Sequence, residues 1–232
     1  MKTVPIKFSK YQIATAIAVL FHAIGVVGIV VLKNDFILQS TPVNLLLMFA
    51  LLIWTQNNKN YFFWLFVLSA IVIGFIVEMI GVNTKLLFGD YSYGNVLGYQ
   101  FKNVPLIIGA NWFIIIYCCG ISINTLLNRA IIKIAIETKT KPMSLKALSV
   151  VIDGATLAVF FDWLMEPIAM QLGYWKWNGQ IPFYNYLCWF IVSVVLLGAF
   201  QFSLFNKQNK FAVHLLMIQV MFFLLLKTFL NN

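Results

Sequence analysis

The chain has 232 residues, of which 62% are hydrophobic and 10% charged, with a mean hydropathy of +0.89. Soluble domains carry about a quarter charged residues, so this composition excludes a soluble globular protein and points to an all-α integral membrane protein. The net charge of +9 would suit a nucleic-acid partner, but the cations gather in short segments between apolar runs, and no nucleic acid is expected.

Runs near the ~20 residues needed to cross a bilayer lie at 11–32, 61–82, 104–127, 145–166, 184–205 and 211–230. A seventh, 36–54, has Gln39, Ser40, Pro42 and Asn44 in its first half and only "VNLLLMFALLIW" as clean apolar sequence. The first run follows Lys2, Lys7 and Lys10, is too long for a signal-peptide core, and reads as a retained signal anchor. With seven helices, eleven of the 16 Lys/Arg fall on the amino-terminal side. The positive-inside rule then puts the amino terminus in the cytoplasm of a multi-pass cell-membrane protein. Arg129, Lys133, Lys139, Lys141 and Lys146 read as a topology signal, aided by anionic lipid. Nothing resembles a linker, so 1–232 reads as one domain.

The seven acidic residues carry the most information. Asp35 and Glu137 are ordinary loop charges, and Asp90 lies in the loop after 61–82. Glu78 closes 61–82, Asp162 and Glu166 close 145–166, and Asp153 lies about 13 Å deeper, where Asn124, Ser122 or His22 is its expected partner. A carboxylate in the membrane core costs about 2.5–3.5 kcal/mol, so such groups face cavities and mark function. Glu78, Asp162 and Glu166 share the extracytoplasmic ends of their helices with Asn111, Trp112, Asn185 and Trp189. Five of the seven Trp and six of the nine Tyr lie on that side, whereas an aromatic belt decorates both interfaces. An aromatic-walled pocket at one face is therefore expected.

Both loops at that face read as short aromatic hairpins. "YWKWNGQIPFY" centres on Asn178-Gly179, a strong hairpin signal, and places Tyr174, Trp175 and Trp177 around the acids. "DYSYGNVLGYQF" sets Tyr91 and Tyr93 against Tyr99 and Phe101 around Gly94-Asn95. The two helical hairpins also share one order of features: Glu78, a Gly/Tyr loop, Pro105, Asn111 and Trp112; then Glu166, a Gly/Trp loop, Pro182, Asn185 and Trp189. The spacings differ, so chance similarity is the first reading of this order and a pseudo-symmetric pair the second.

Asp162 and Glu166 stand at i, i+4 on one helix face. Two carboxyls that close in an apolar wall do not both ionise, so one is expected to keep a proton. Pro167 disfavours helix at Glu166 and would turn its carboxylate inward. Cys118, Cys119 and Cys188 show no metal spacing, His22 and His214 stand alone on separate helices, and no metal is expected.

"EMIGVNTKLLFGDYSYG", "LGYQFKNVPLIIGANWFIIIY", "DWLMEPIAMQLGYWKWNG" and "IPFYNYLCWF" together resemble the carotenoid-biosynthesis membrane family of CruF-type carotenoid 1',2'-hydratases, over about residues 70–200. The chain departs from that pattern at Glu166, where Asp is commoner before Pro, and at Asn111, where a small residue is commoner before Trp. The resemblance implies a cofactor-independent hydro-lyase that adds water across the terminal C1'=C2' bond of an acyclic carotenoid end. Gamma-carotene, lycopene or a bacterioruberin precursor in the bilayer would be the substrate. Such chemistry requires a proton donor to C2', support for a tertiary cation at C1', and a held water. Asp162, Glu166 and Glu78 are the candidate acid and water-orienting groups. Trp112, Trp163, Tyr174, Trp175, Trp177, Tyr91 and Tyr93 are the candidate substrate and cation contacts, and Asn111 and Asn185 position water.

Three other readings compete. A non-catalytic carotenoid or isoprenoid carrier would use its acids to gate a cavity. A retinal protein would need a mid-membrane lysine, whereas Lys227 lies near the end of its helix. A metal-dependent lipid hydroxylase would need a histidine-rich ligand set.

Overall fold

The computed structural model describes residues 8–138 and 143–230, apart from the side chains of 129, 131–138 and 143–145. Lys2, Lys7, Lys139 and Lys141 lie outside the described residues, as do the side chains of Arg129, Lys133 and Glu137.

Helix α1 spans Lys10–Val26 and ends in a π-helical turn, Val27–Val31. Ser9 and Gln12 cap its start reciprocally, which satisfies two otherwise orphaned amides. The expected segment 36–54 breaks into α2, Asp35–Gln39, and α3, Thr41–Thr55. Pro42, at the start of α3, fits a first turn, where its missing N–H costs nothing. At 15 residues, α3 is about 22 Å long, short of the ~30 Å hydrocarbon layer.

Among the described residues six other helical spans are long and apolar enough to cross, and the chain is a multi-pass all-α membrane protein. They are α1 with its π-turn, then α4 (Tyr61–Thr84), α5 (Ile107–Thr138), α6 (Met143–Gln171), α7 (Phe183–Phe202) and α8 (Lys210–Leu230). Both α5 and α6 outrun the apolar stretches expected at 104–127 and 145–166. The expected end of the helix at Glu166 is corrected: α6 passes through Pro167 to Gln171. Proline there removes one hydrogen bond near the helix end without breaking the turn.

Helix α5 is the hub, packing on α3, α4, α6, α7 and α8. Residues Trp112–Ile121 are buried without interruption. The surrounding helices instead expose apolar stripes, such as Phe62, Leu65, Leu68, Val72 and Ile76 on α4, whose spacing of three or four marks one lipid-facing side. A polar cluster closes the end nearer the amino terminus. There Asn209 Nδ2 donates to Thr55 Oγ1 (3.1 Å) and Tyr117 Oη (3.2 Å), and Tyr117 donates to Gln56.

The opposite end is capped by the segments 85–106 and 172–182. Strand β1 (Tyr91–Tyr93) pairs antiparallel with β4 (Trp175–Trp177), matching Tyr91 to Trp177 and Tyr93 to Trp175. The amide of Gly94 donates to Tyr174 O (2.8 Å) and that of Asn178 to Asp90 O (2.9 Å), extending the ladder. The expected hairpins at Gly94-Asn95 and Asn178-Gly179 are therefore corrected, because the two loops pair with each other. After Gly179 the chain reaches Pro182 and starts α7, so no return strand forms. Residues Tyr99–Phe101 turn away because Lys102 and Asn103 both take left-handed backbone (φ 51° and 64°), which suits a two-residue turn. That turn joins β2 (Gln100–Phe101) to β3 (Val104–Pro105). A further clasp holds the cap: Asp90 Oδ2 accepts from Lys85 Nζ (2.7 Å) and Asn178 Nδ2 (3.0 Å). Mainly through the Lys85 bond, these contacts hold the Asp90 carboxyl below its usual range.

Candidate active site

Beneath the β1–β4 sheet lies a small chamber of about 30 Å³, room for a water or two. Glu78 reaches it from α4, Asn111 and Trp112 from α5, Asp162 and Glu166 from α6, and Asn185 and Trp189 from α7. Tyr91, Tyr93, Trp175 and Trp177 roof it. The period of two in a strand explains the roof: residues 91 and 93, and 175 and 177, all turn to the acid side, while Lys176 is exposed. The i, i+4 spacing of Asp162 and Glu166 brings both to the chamber in the same way.

All three carboxyls are buried, Asp162 to 1% exposure, yet they are hydrogen-bonded unequally. Glu78 accepts three bonds: Tyr91 Oη (2.5 Å) and Tyr93 Oη (2.7 Å) donate to Oε2, and Trp112 Nε1 (3.0 Å) donates to Oε1. Glu166 accepts Trp175 Nε1 (2.8 Å) and Trp177 Nε1 (2.9 Å) at Oε2 and Asn185 Nδ2 (3.4 Å) at Oε1. Asp162 accepts one, from Asn185 Nδ2 to Oδ2 (3.0 Å). Among the described residues no donor reaches its Oδ1. Burial, then the adjacent Glu78 carboxylate, push the Tyr91 and Tyr93 phenols well above their ordinary range. Both therefore remain O–H donors.

The rings form a continuous aromatic wall. Trp112 and Trp189 stack at 4.1 Å and 15°, and Tyr91 lies 5.1 Å from Trp177. Phe88 joins them in the left-handed region, φ 65°, a conformation costing a bulky residue of order 1–3 kcal/mol. Its buried ring meets Tyr91, Trp112 and Trp189.

Ten of the twelve residues singled out in the sequence thus meet in one chamber. Trp163 and Tyr174 do not line it. Trp163 is 51% exposed on the outer side of α6, with Lys227 Nζ 5.1 Å from its ring, because it is one position out of phase with Asp162 and Glu166. Tyr174 is buried behind the roof and shares a 3.0 Å hydrogen bond with Thr41 Oγ1. Asp153 is likewise corrected: it is exposed, while Asn124 donates to Lys207 O and His22 bonds Ala18 O. Trp189 was legible as a wall residue but not as a site residue, although it stands at i, i+4 from Asn185. Phe88, Ile108 and Met165 carried no signal beyond being apolar.

A second, mostly apolar cavity of about 270 Å³ adjoins the chamber and shares Ile108, Asn111, Met165 and Trp175 with it. Tyr174 lines this one.

The fold and chamber define a polytopic membrane protein with an interior acid site next to an apolar cavity. The family described as "carotenoid biosynthesis protein" matches residues 38–232; the chain belongs to that family and takes part in carotenoid biosynthesis. No curated protein and no solved structure matches it. The match covers every chamber residue and leaves α1 outside.

Proposed function

We propose that the chain is a carotenoid hydratase that adds water to the terminal C1'=C2' bond of an acyclic carotenoid end, as a cofactor-independent hydro-lyase. The observation that carries this reading is the inequality of the three buried carboxyls beside a cavity fit for a chain end. Hydrogen bonds to an ionised carboxylate favour that form. Glu78 and Glu166, with three donors each, suit the charged state, and Asp162, with one, is the group to carry a proton.

The end group enters from the larger cavity past Ile108 and Met165. Asp162 gives its proton to C2', the π pair forms the new C–H bond, and C1' becomes a tertiary cation. Glu78 and Glu166 stabilise that charge electrostatically, and the faces of Trp112, Trp189 and Trp177 add cation–π support. A water held in the chamber by Asn185 or Asn111 attacks C1' and loses its proton to Glu166, from which a second water returns it to Asp162. Atoms balance as alkene plus water to tertiary alcohol.

The chamber belongs at the extracytoplasmic face on the charge distribution, with the amino terminus in the cytoplasm of the cell membrane. A carotenoid about as long as the ~30 Å hydrocarbon layer would deliver its end near that depth. Expression in hosts that accumulate lycopene or gamma-carotene, with mass analysis of extracted pigment, tests the reading. The expected product is heavier by one water. Inserted protein with only unchanged pigment would sink it, and pigment that co-purifies unaltered would favour the carrier.

A further inference from the structure

The larger cavity contains polar groups that the hydration chemistry leaves unused. Asn44 Oδ1 on α3 and Gln219 Oε1 on α8 are buried atoms without a hydrogen-bond partner, both residues line this cavity, and Gln219 is only 6% exposed. His22 on α1 lines it too. Its Nδ1 lies 2.7 Å from Ala18 O; a carbonyl only accepts, so Nδ1 carries the proton and Nε2 remains an acceptor.

These three groups lie at one depth. From the helix ends joined by the Asn209–Thr55 and Lys10–Asn57 bonds, His22 rises ~18 Å, Asn44 ~16 Å and Gln219 ~14 Å. Around them the wall is apolar, with Ile29, Phe161 and Phe222 among its residues. Native interiors rarely leave buried amides unpaired, and two such amides and an imidazole, on three separate helices converging on one apolar cavity, call for a common partner. A hydroxyl fits, because it donates to an amide oxygen or imidazole and accepts from an amide N–H, whichever way each amide is turned. At about 270 Å³ the cavity is nearly twice the ~150 Å³ that admits one benzene ring, so it takes about two isoprene units.

We infer that this cavity is a binding site for an isoprenoid chain bearing a hydroxyl, which is recognised by Asn44, Gln219 and His22. The isoprenoid class rests on the proposed function, whereas the hydroxyl rests on the unpaired amides alone. The site would hold an alcohol, such as the hydrated product withdrawing from the chamber, in preference to the hydrocarbon.

The test uses the full chain in lipid nanodiscs and measures retention of two probes of equal length, farnesol and the hydrocarbon farnesene. Wild type is expected to retain farnesol about tenfold more strongly after correction for partition into empty discs, the worth of about one hydrogen bond. In Asn44→Leu/Gln219→Leu that preference falls to about one while farnesene retention persists, which also reports that the cavity is intact. If the double variant does not insert, Gln219→Met alone is read and is expected to lower the preference severalfold. Equal retention by wild type, a preference that survives the substitutions, or retention of neither probe, as for a cavity that holds only water, overturns the inference. No turnover is read, so a failed hydratase assay and a failed binding assay are separate results.

Discussion

Replacing Asp162 by Asn tests the assignment of the proton donor most directly. The side chains are nearly isosteric, and Asn185 Nδ2, now 3.0 Å from Asp162 Oδ2, would meet the new amide oxygen, so the fold is expected to stand. What is lost is the transferable proton. Glu78 and Glu166 each accept two more hydrogen bonds than Asp162. At about 1.5–3 kcal/mol for a bond to a charged group, that difference favours the proton on Asp162 by about 3–6 kcal/mol, or two to four decades. General acid catalysis contributes about 10²–10⁴-fold. Asp162→Asn is therefore expected to lower hydration by that range, about 3–5 kcal/mol at the barrier, with pigment still bound. Product formation per inserted protein, measured in a lycopene-accumulating host and then in detergent, gives the number. Activity within a few-fold of wild type would refute the assignment, and so would a complete loss in Glu78→Gln alongside an active Asp162→Asn.

Three further outcomes follow from the same geometry. In Gly94→Val, a Cβ would stand 2.1 Å from the backbone Gly173 O, which cannot yield without parting β1 from β4. A stability loss of about 1–3 kcal/mol and at least a tenfold activity loss are expected in detergent melts and pigment assays, and a wild-type melt would show that the roof is dispensable. Trp163→Phe, on the exposed side of α6, is expected to change activity less than about twofold and stability by about 0.5 kcal/mol; a tenfold loss would return this ring to the site. The Tyr91 and Tyr93 phenols are raised by burial, so their contribution to stability is full below the unfolded value near pH 10 and is lost as pH rises toward the folded one. Absorbance titration of the folded protein to about pH 11 should therefore be unchanged in amplitude by Tyr91→Phe/Tyr93→Phe, and a two-phenol drop would contradict the buried roof.

The apolar runs were legible because bilayer thickness imposes a length on any spanning helix, and acids stood out because burial makes them costly. The i, i+4 pair on α6 and the alternating rings of β1 and β4 were equally readable, since both follow from backbone periodicity. Strand pairing was not. Asn178-Gly179 is a strong local turn signal, but Pro182 leaves no strand to return, and a partner 84 residues away in sequence (Lys176 to Ser92) has no local signature. The second cavity was invisible for a related reason: His22, Asn44 and Gln219 come from three helices, and each alone reads as an isolated polar residue.

The repeated order of features in the two helical hairpins has a physical counterpart. Glu78 accepts from two alternate residues of the strand that follows it, Tyr91 and Tyr93, and Glu166 accepts from Trp175 and Trp177 in the same way. The strands pair antiparallel about Ser92 and Lys176, and Trp112 stacks on Trp189, so each half presents an acid, a two-donor strand and a ring. The relation breaks one turn before each acid. In α6 that position is Asp162; in α4 it is Gly74, where a Cβ would come within 2.4 Å of the Trp112 side chain. One half thus gives the position up to pack an indole, and the other places there the carboxyl with the fewest donors. On the proposed function, a symmetric pair of buried carboxylates each held by three donors would have no group ready to release a proton, and the asymmetry at Asp162 would supply the acid.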